Sequence, residues 1–394
     1  MVKKTIYIPR RQVVRGLLGL TAFGAVNQLA ACTPEANQSG QSGGSVSSPT
    51  QDLIIGFIYV GPKDDFGYNQ AHAEGAAAIA KLPKVKILEE ASVPETTAVY
   101  ETMRSMIEQS DARVLFPTSF GYFNPHIIKI AKEFPEVQFF HAGGLYEEGK
   151  TPKNIGSYFG YIDEAQYISG FVAASTSKTN KLGFVAAKPI PQVLRNINSF
   201  TLGAKSAKPD ITTRVIFTGD WAVPVKEAEA TNSMADQSID VVTCHVDSPK
   251  VVMETAERRG IFCTGYHANQ SKLAPKGYLT GAEWDWETIY TNYVKDIQAG
   301  KTLMNGGIPN MVRGGLKEGF WKLSPYGPAV SDATKAAADK LRDEFKAGTK
   351  IIYGGELKDN QGKVVVAKDQ KLDPKAVELE KMNWLVEGVI GSIS

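Results

Sequence analysis

The sequence predicts an α/β protein of two lobes, each a doubly wound, mostly parallel sheet. Three observations predict it. Short apolar runs rich in Val, Ile and Phe alternate with stretches of helical composition along most of the chain. The alternation restarts at Lys181-Leu182-Gly183-Phe184-Val185-Ala186, a run of the same character as the opening one at 53–60. The loops after several of these runs carry aromatic and amide side chains, and in open α/β sheets such loops lie where ligands bind.

The opening run, Leu53-Ile54-Ile55-Gly56-Phe57-Ile58-Tyr59-Val60, has strand length and reads as buried on both faces. Gly61-Pro62 ends it, a polar loop through Asn69 follows, and the alanine-rich stretch 70–82 has helix composition. Strands are then expected at 85–89, 113–117, 137–140 and 154–161, with helices at 97–109, 125–134 and 164–175. In the second set strands fall at 181–186, 215–217, 241–245, 261–265 and 278–284. Helices fall at 191–206, 225–237, 249–259 and 287–299. The tail is less regular: a helix over 333–347 capped by Ser331 or Asp332, a hairpin turning at 358–362, and a helix over 372–382. Trp384 is placed to cap the second lobe. With no linker between the sets, lobe 1 takes 52–161 and 285–318, and lobe 2 takes 162–284 and 319–394.

Residues 1–31 read as a signal peptide: five basic residues, no acidic one, and an apolar stretch at 16–26 too short to span a bilayer. Leu29-Ala30-Ala31-Cys32 matches a lipobox, which makes Cys32 a lipidation site. Arg10-Arg11 leaves twin-arginine export open beside the general route. The Ser-, Gly- and Gln-rich segment 32–51 reads as a lipidated flexible tether. The expected location is the cell envelope, periplasmic or outer-surface, with the lipid as membrane anchor.

The whole chain is formally +2, but five of its 44 basic residues lie in the leader, so the remainder is about −3. A near-neutral body argues against nucleic acid as a partner. Of three cysteines only Cys244 and Cys263 lie in the body, each in an apolar strand-like run that favours buried thiols over a disulfide. Neither these nor the five histidines have metal-site spacing, so no metal is expected. The sequence contains no GxxxxGK, GxSxG or HExxH motif, and no cofactor or catalytic residue is expected.

Several stretches, in order, resemble the basic membrane lipoprotein family, the PnrA-like substrate-binding proteins of ABC transporters. They are Gly56-Phe57-Ile58 with Asp65-Phe66-Gly67-Tyr68-Asn69, then 131–137, Gly183-Phe184-Val185, Trp221 with Lys226-Glu227-Ala228, Gly265-Tyr266-His267-Ala268-Asn269-Gln270, and Leu279-Thr280. The resemblance covers essentially residue 52 to the end. It implies the periplasmic-binding-protein type I fold, a purine-type ligand held by rings between two lobes, and permease and ATPase subunits as partners of a monomer. Carried over by position, Tyr68 and Asn69 match the aromatic–Asn pair after the first strand, with Phe66 beside them. Phe120 and Trp221 match further aromatics of the two lobes.

The sequence departs from the family where nucleoside binders show a Gly-Val-Asp-Ser-Asp-Gln-like loop. Here His267 and Asn269 replace both carboxylates, Tyr266 precedes them, and Trp284 falls near a familial Lys. Carboxylates accept well from ribose hydroxyls. Their loss shifts the expectation to a free nucleobase such as adenine rather than a nucleoside. For each aromatic the competing role is a core or rim side chain; His245 with Asp247, and Glu283, are further candidates. Alternatives on the same fold are a ligand-sensing lipoprotein, or a binder of another small neutral solute such as a urea-like amide or a sugar.

Overall fold

The computed structural model describes residues 52–393. The signal peptide, Cys32 and the tether lie outside the described residues.

Lobe 1 opens with β1 (Leu53–Ile58), α1 (Tyr68–Ile79), β2 (Val85–Glu90), α2 (Thr97–Ser110) and β3 (Val114–Pro117). It continues through two irregular turns to α3 (Ile128–Glu133), β4 (Gln138–Ala142) and β5 (Ile155–Gly160). The chain then crosses to the second lobe with α4 (Asp163–Thr176), β6 (Lys181–Ala186), α5 (Pro191–Ala207), β7 (Thr212–Phe217) and α6 (Pro224–Asp236). There follow β8 (Val241–His245), α7 (Lys250–Arg259), β9 (Phe262–His267) and β10 (Tyr278–Trp284). Next, α8 (Trp286–Gln298) and β11 (Met311–Gly314) return to lobe 1, and β12 (Trp321–Leu323) goes back to lobe 2. The tail adds α9 (Asp332–Ala347), a hairpin of β13 (Leu357–Lys358) and β14 (Val364–Val366), α10 (Val377–Glu380) and β15 (Val389–Ile390).

The first sheet runs β11-β5-β4-β3-β1-β2 and the second β12-β10-β9-β8-β6-β7-β15. Every pairing between these strands is parallel except β10 with β12. In each sheet the strand order reverses beside the opening strand, between β1 and β3 and between β6 and β8. Such a reversal leaves a crevice at the carboxyl ends, where the following loops diverge to opposite faces.

Both faces of the first sheet are buried, which explains its unbroken apolar runs. Ile58, Leu115 and Phe139 pack with Met103 and Ile107 of α2. On the other face Phe57 stacks on Phe116 at 4.8 Å, and Tyr290 and Tyr293 of α8 close over them. The helix that follows lobe 2's β10 thus belongs to the core of lobe 1. A buried carboxylate steadies the third crossing: Glu164 Oε2 accepts from the Leu316 amide and the Trp321 indole.

Two expectations need correction. The helix expected over 372–382 shrinks to Val377–Glu380. Asp373 and Pro374 hold its start in a turn, with the Asp373 carbonyl accepting from the Ala376 amide. The short strands β11 and β12 were not anticipated, being too brief to show a period of their own. Cys244 and Cys263 are buried free thiols.

Candidate functional site

The carboxyl ends of both sheets face one cavity, a space of about 450 Å³ counting its open mouth. Lobe 1 contributes Tyr68 after β1, Ser119 and Phe120 after β3, Ala142 at the end of β4 and Phe159 on β5. Lobe 2 contributes Gln192 after β6, Trp221 after β7, His245 and Asp247 at the end of β8, Tyr266 and His267 on β9, and Trp284 closing β10.

A buried acid sets the first of these. Asp65 accepts from the amides of Gly67, Asn69 and Gln70 at 2.8, 3.0 and 2.9 Å, capping the free N–H groups of α1 from upstream. That cap fixes Tyr68 as the first helical residue. Its hydroxyl donates to the Thr118 carbonyl at 2.5 Å, and its ring stands edge-on to His267 at 5.3 Å. Glu95 in turn accepts from Ser119 Oγ and the Gly121 amide, holding the loop that carries Phe120, 45% exposed at the rim.

The lobe 2 wall is a hydrogen-bonded set of neutral rings. The Trp284 indole donates to His267 Nδ1 at 2.8 Å, while His267 Nε2 is buried without a well-formed hydrogen bond. Asn196 donates to His245 Nδ1 at 2.9 Å and to the Tyr266 hydroxyl at 2.8 Å. Burial drives the His245 pKa down to about 3, and burial with neighbouring His245 and His72 holds His267 well below the usual histidine range. Both rings are therefore neutral at ordinary pH. His267 has φ +73, a left-handed backbone that histidine, like asparagine and aspartate, adopts more readily than most side chains, at the point where β9 ends.

Behind this wall Trp284 stacks on Trp286 at 4.5 Å, and Trp286 on His72 at 4.9 Å. The stack leaves the cavity face of Trp284 little room to move. Trp221 is partly exposed, with Lys188 above its ring at 5.1 Å, and Lys188 is itself paired with Asp220 at 2.8 Å.

Asp247 is the one carboxyl on the wall. Burial, reinforced by the charges of Asp65 and Glu95, raises its pKa well above the carboxylate range. The cavity therefore offers a mixed edge of donors and acceptors.

The lobes meet beside this cavity through backbone. The Tyr68 amide donates to the Asp247 carbonyl at 2.8 Å, Ser248 Oγ to the Asp65 carbonyl at 2.7 Å, and Gln270 Nε2 to the Phe66 carbonyl at 2.6 Å. Gly67 makes this approach possible, because a Cβ there would collide with the Asp247 carbonyl oxygen.

Of the nine residues singled out in the sequence, the structure brings six onto the cavity: Tyr68, Phe120, Trp221, Tyr266, His267 and Trp284. Three lie off it. Asn69 is buried and spent on the loop, donating to Asp65 and accepting from the Gly61 amide. Phe66 turns away at φ +57, under the ammonium of Lys250. Asn269 is exposed and accepts from the Ser271 amide. Glu283 accepts from Ser324 Oγ and also lies elsewhere.

Sequence reasoning passed over Ser119, Ala142, Phe159 and Gln192, and weighed Asp247 only as a companion of His245. Gln192 had a signal: it follows β6 as Tyr68 follows β1, the same place in the repeated order.

A family model described as ABC transporter substrate-binding protein, PnrA-like, matches residues 53–371. A purine-binding protein of Brucella abortus is 32% identical over 88% of this chain and 95% of its own length. A Haloferax volcanii protein, named provisionally as an ABC transporter glucose-binding protein, is 28% identical over the full length of both. Among solved structures, an ABC transporter solute-binding protein from Conexibacter woesei superposes with a TM-score of 0.62 at 21% identity, covering 76% of this chain and 97% of that one.

Proposed function

The chain belongs to the PnrA-like family of ABC transporter substrate-binding proteins, and on that premise we propose that it captures a purine-type ligand between its lobes, the free base in preference to the nucleoside. The family consists of extracytoplasmic solute-binding proteins rather than enzymes, serving a permease and an ATPase.

One observation carries the reading: Tyr68, Trp221 and Trp284 converge on one cavity whose polar groups are aromatic and imidazole rings, a hydroxyl, an amide and a single carboxyl, Asp247. A flat, sparingly soluble heterocycle gains from ring contact on its faces and from a few placed donors and acceptors on its edges. His267 Nε2–H can donate to a ring nitrogen, while Asp247 and Gln192 can accept from exocyclic or ring N–H groups. The name of the 32% identical relative supports the same ligand class.

Binding is the mechanism. A ligand touching both walls stabilises the closed arrangement, because only that arrangement contacts it from both sides, and the permease reads the closed form. Lipid on Cys32 would hold a monomer at the membrane for that hand-over.

The glucose-binding name of the second relative favours a sugar as the competing ligand. Sugar sites need several charged or amide groups around the hydroxyls. Here Asp247 and Gln192 alone are of that kind.

Calorimetric titration with adenine, adenosine and glucose tests the proposal. Adenine is expected to bind most tightly. Preference for adenosine would overturn the free-base assignment, and binding of glucose alone would overturn the purine.

A further inference from the structure

A second cavity adjoins the first. It is larger, about 1180 Å³ counting its open mouth, and shares Phe120, Phe159 and Gln192 with the first as a common border. It too lies between the lobes, with loops after β3 and β4 on one side and the start of α5 with α10 on the other.

Its lining is mostly apolar: Phe120, Phe123, Leu145 and Phe159 from lobe 1, Ile190 and Leu379 from lobe 2. Three charged side chains reach it, and each already has a partner. Arg195 pairs with Asp163 at 2.8 Å, Glu380 with Arg313 at 2.9 Å, and Glu147 with Lys150 at 2.6 Å. Arg195 and its partner Asp163 are both deeply buried, so drawing Arg195 toward a ligand would leave a buried carboxylate unpaired, at high cost. The annex therefore has no uncommitted charge for a phosphate and few groups to read sugar hydroxyls. It offers apolar surface to whatever emerges from the inner cavity.

We infer that the ligand is a purine base carrying an apolar substituent, with the base in the inner cavity and the substituent passing Phe120, Phe159 and Gln192 into the annex. This rests on the purine reading above and deepens it to an alkyl- or aryl-substituted base. The binding gain comes from apolar area removed from water in the annex, an area that an unsubstituted base leaves untouched.

The test is calorimetric titration of the wild-type protein with adenine, adenosine, N6-benzyladenine and 9-benzyladenine. The two benzyl positions sample the two edges from which a substituent could leave the base. At least one benzyladenine is expected to bind about tenfold or more tighter than adenine, and tighter than adenosine. If adenine binds and both benzyladenines bind more weakly, the annex proposal falls while the purine reading stands. If adenosine gains as much as 9-benzyladenine, the annex takes a sugar and the proposal falls. If none of the four binds, both readings fall. In the variant Leu145→Asp, which puts a charge on the rim, the affinity ratio of the better benzyladenine to adenine should fall by about tenfold. An unchanged ratio would place the substituent elsewhere and overturn the proposal.

Discussion

The indole N–H of Trp284 donates to Nδ1 of His267 at 2.8 Å, and this bond decides what His267 can offer a ligand. With Nδ1 accepting, the neutral imidazole carries its proton on Nε2, which the Val246 carbonyl approaches without closing a well-formed hydrogen bond. The strand-end position of His267 and the stacking of Trp284 on Trp286 hold both rings in place for it.

Trp284→Phe keeps an aromatic ring but strands His267 Nδ1 in a dry wall. An unsatisfied buried acceptor costs about 1–3 kcal/mol. The urea midpoint should fall accordingly with the slope unchanged. A midpoint equal to wild type would show that the bond contributes nothing.

Trp221→Ala and Tyr68→Ala should each weaken adenine binding by about 1–3 kcal/mol if the ring lies against the base. Tyr68→Phe retains the ring and loses only the hydroxyl bond to Thr118, so it should lose less. Titration that leaves either alanine variant at wild-type affinity removes that ring from the site.

Gly67→Ala puts a methyl group where the Asp247 carbonyl now sits, across the joint between the lobes. Each lobe should fold, because the collision arises only on closure. Adenine affinity should drop at least tenfold, and small-angle scattering should show a protein that stays extended when ligand is added. Full closure in this variant would mean that the lobes meet by another path.

The pH dependence of His245 has a definite sign. Its folded pKa, about 3, lies below the ordinary 6.5, so between those values the unfolded chain binds a proton that the folded chain refuses. Its contribution is fully present above pH 6.5 and is lost as pH falls toward 3, by about 1.4 kcal/mol per pH unit. Buried carboxyls titrate in the opposite sense, so the readout is the difference between wild type and His245→Gln. That difference should be level above pH 7 and move in favour of the glutamine variant below pH 6. Parallel curves would show that His245 is not held neutral.

Several residues of the cavity wall were legible in the sequence. Tyr68, Phe120, Trp221, Tyr266, His267 and Trp284 all follow or end apolar strand-length runs, and in a doubly wound sheet those ends converge. Asn69 and Asn269 carried the same positional signal yet lie off the cavity. An amide beside a turn is taken up by its nearest backbone or carboxylate partner, here Asp65 and the Ser271 amide. Phe66 was lost to a backbone conformation, since φ +57 turns its ring away from the helix start.

The amino-acid sequence by itself determined the alternation of strands and helices, the repeat that makes two lobes, and the set of rings near the strand ends. These follow from hydrophobic period and turn residues, which act over a few positions along the chain. The tertiary structure alone decided which polar groups remain available. It joined Trp284 to His267, put Asp247 and Gln192 on the same wall, committed Asn69 to the loop, and opened an apolar annex beyond Phe120. Whether a hydrogen-bonding group is spent or free depends on which partner the fold brings within reach, four residues away for Asn69 and seventeen for the Trp284–His267 pair, and hydrophobic period does not record that pairing.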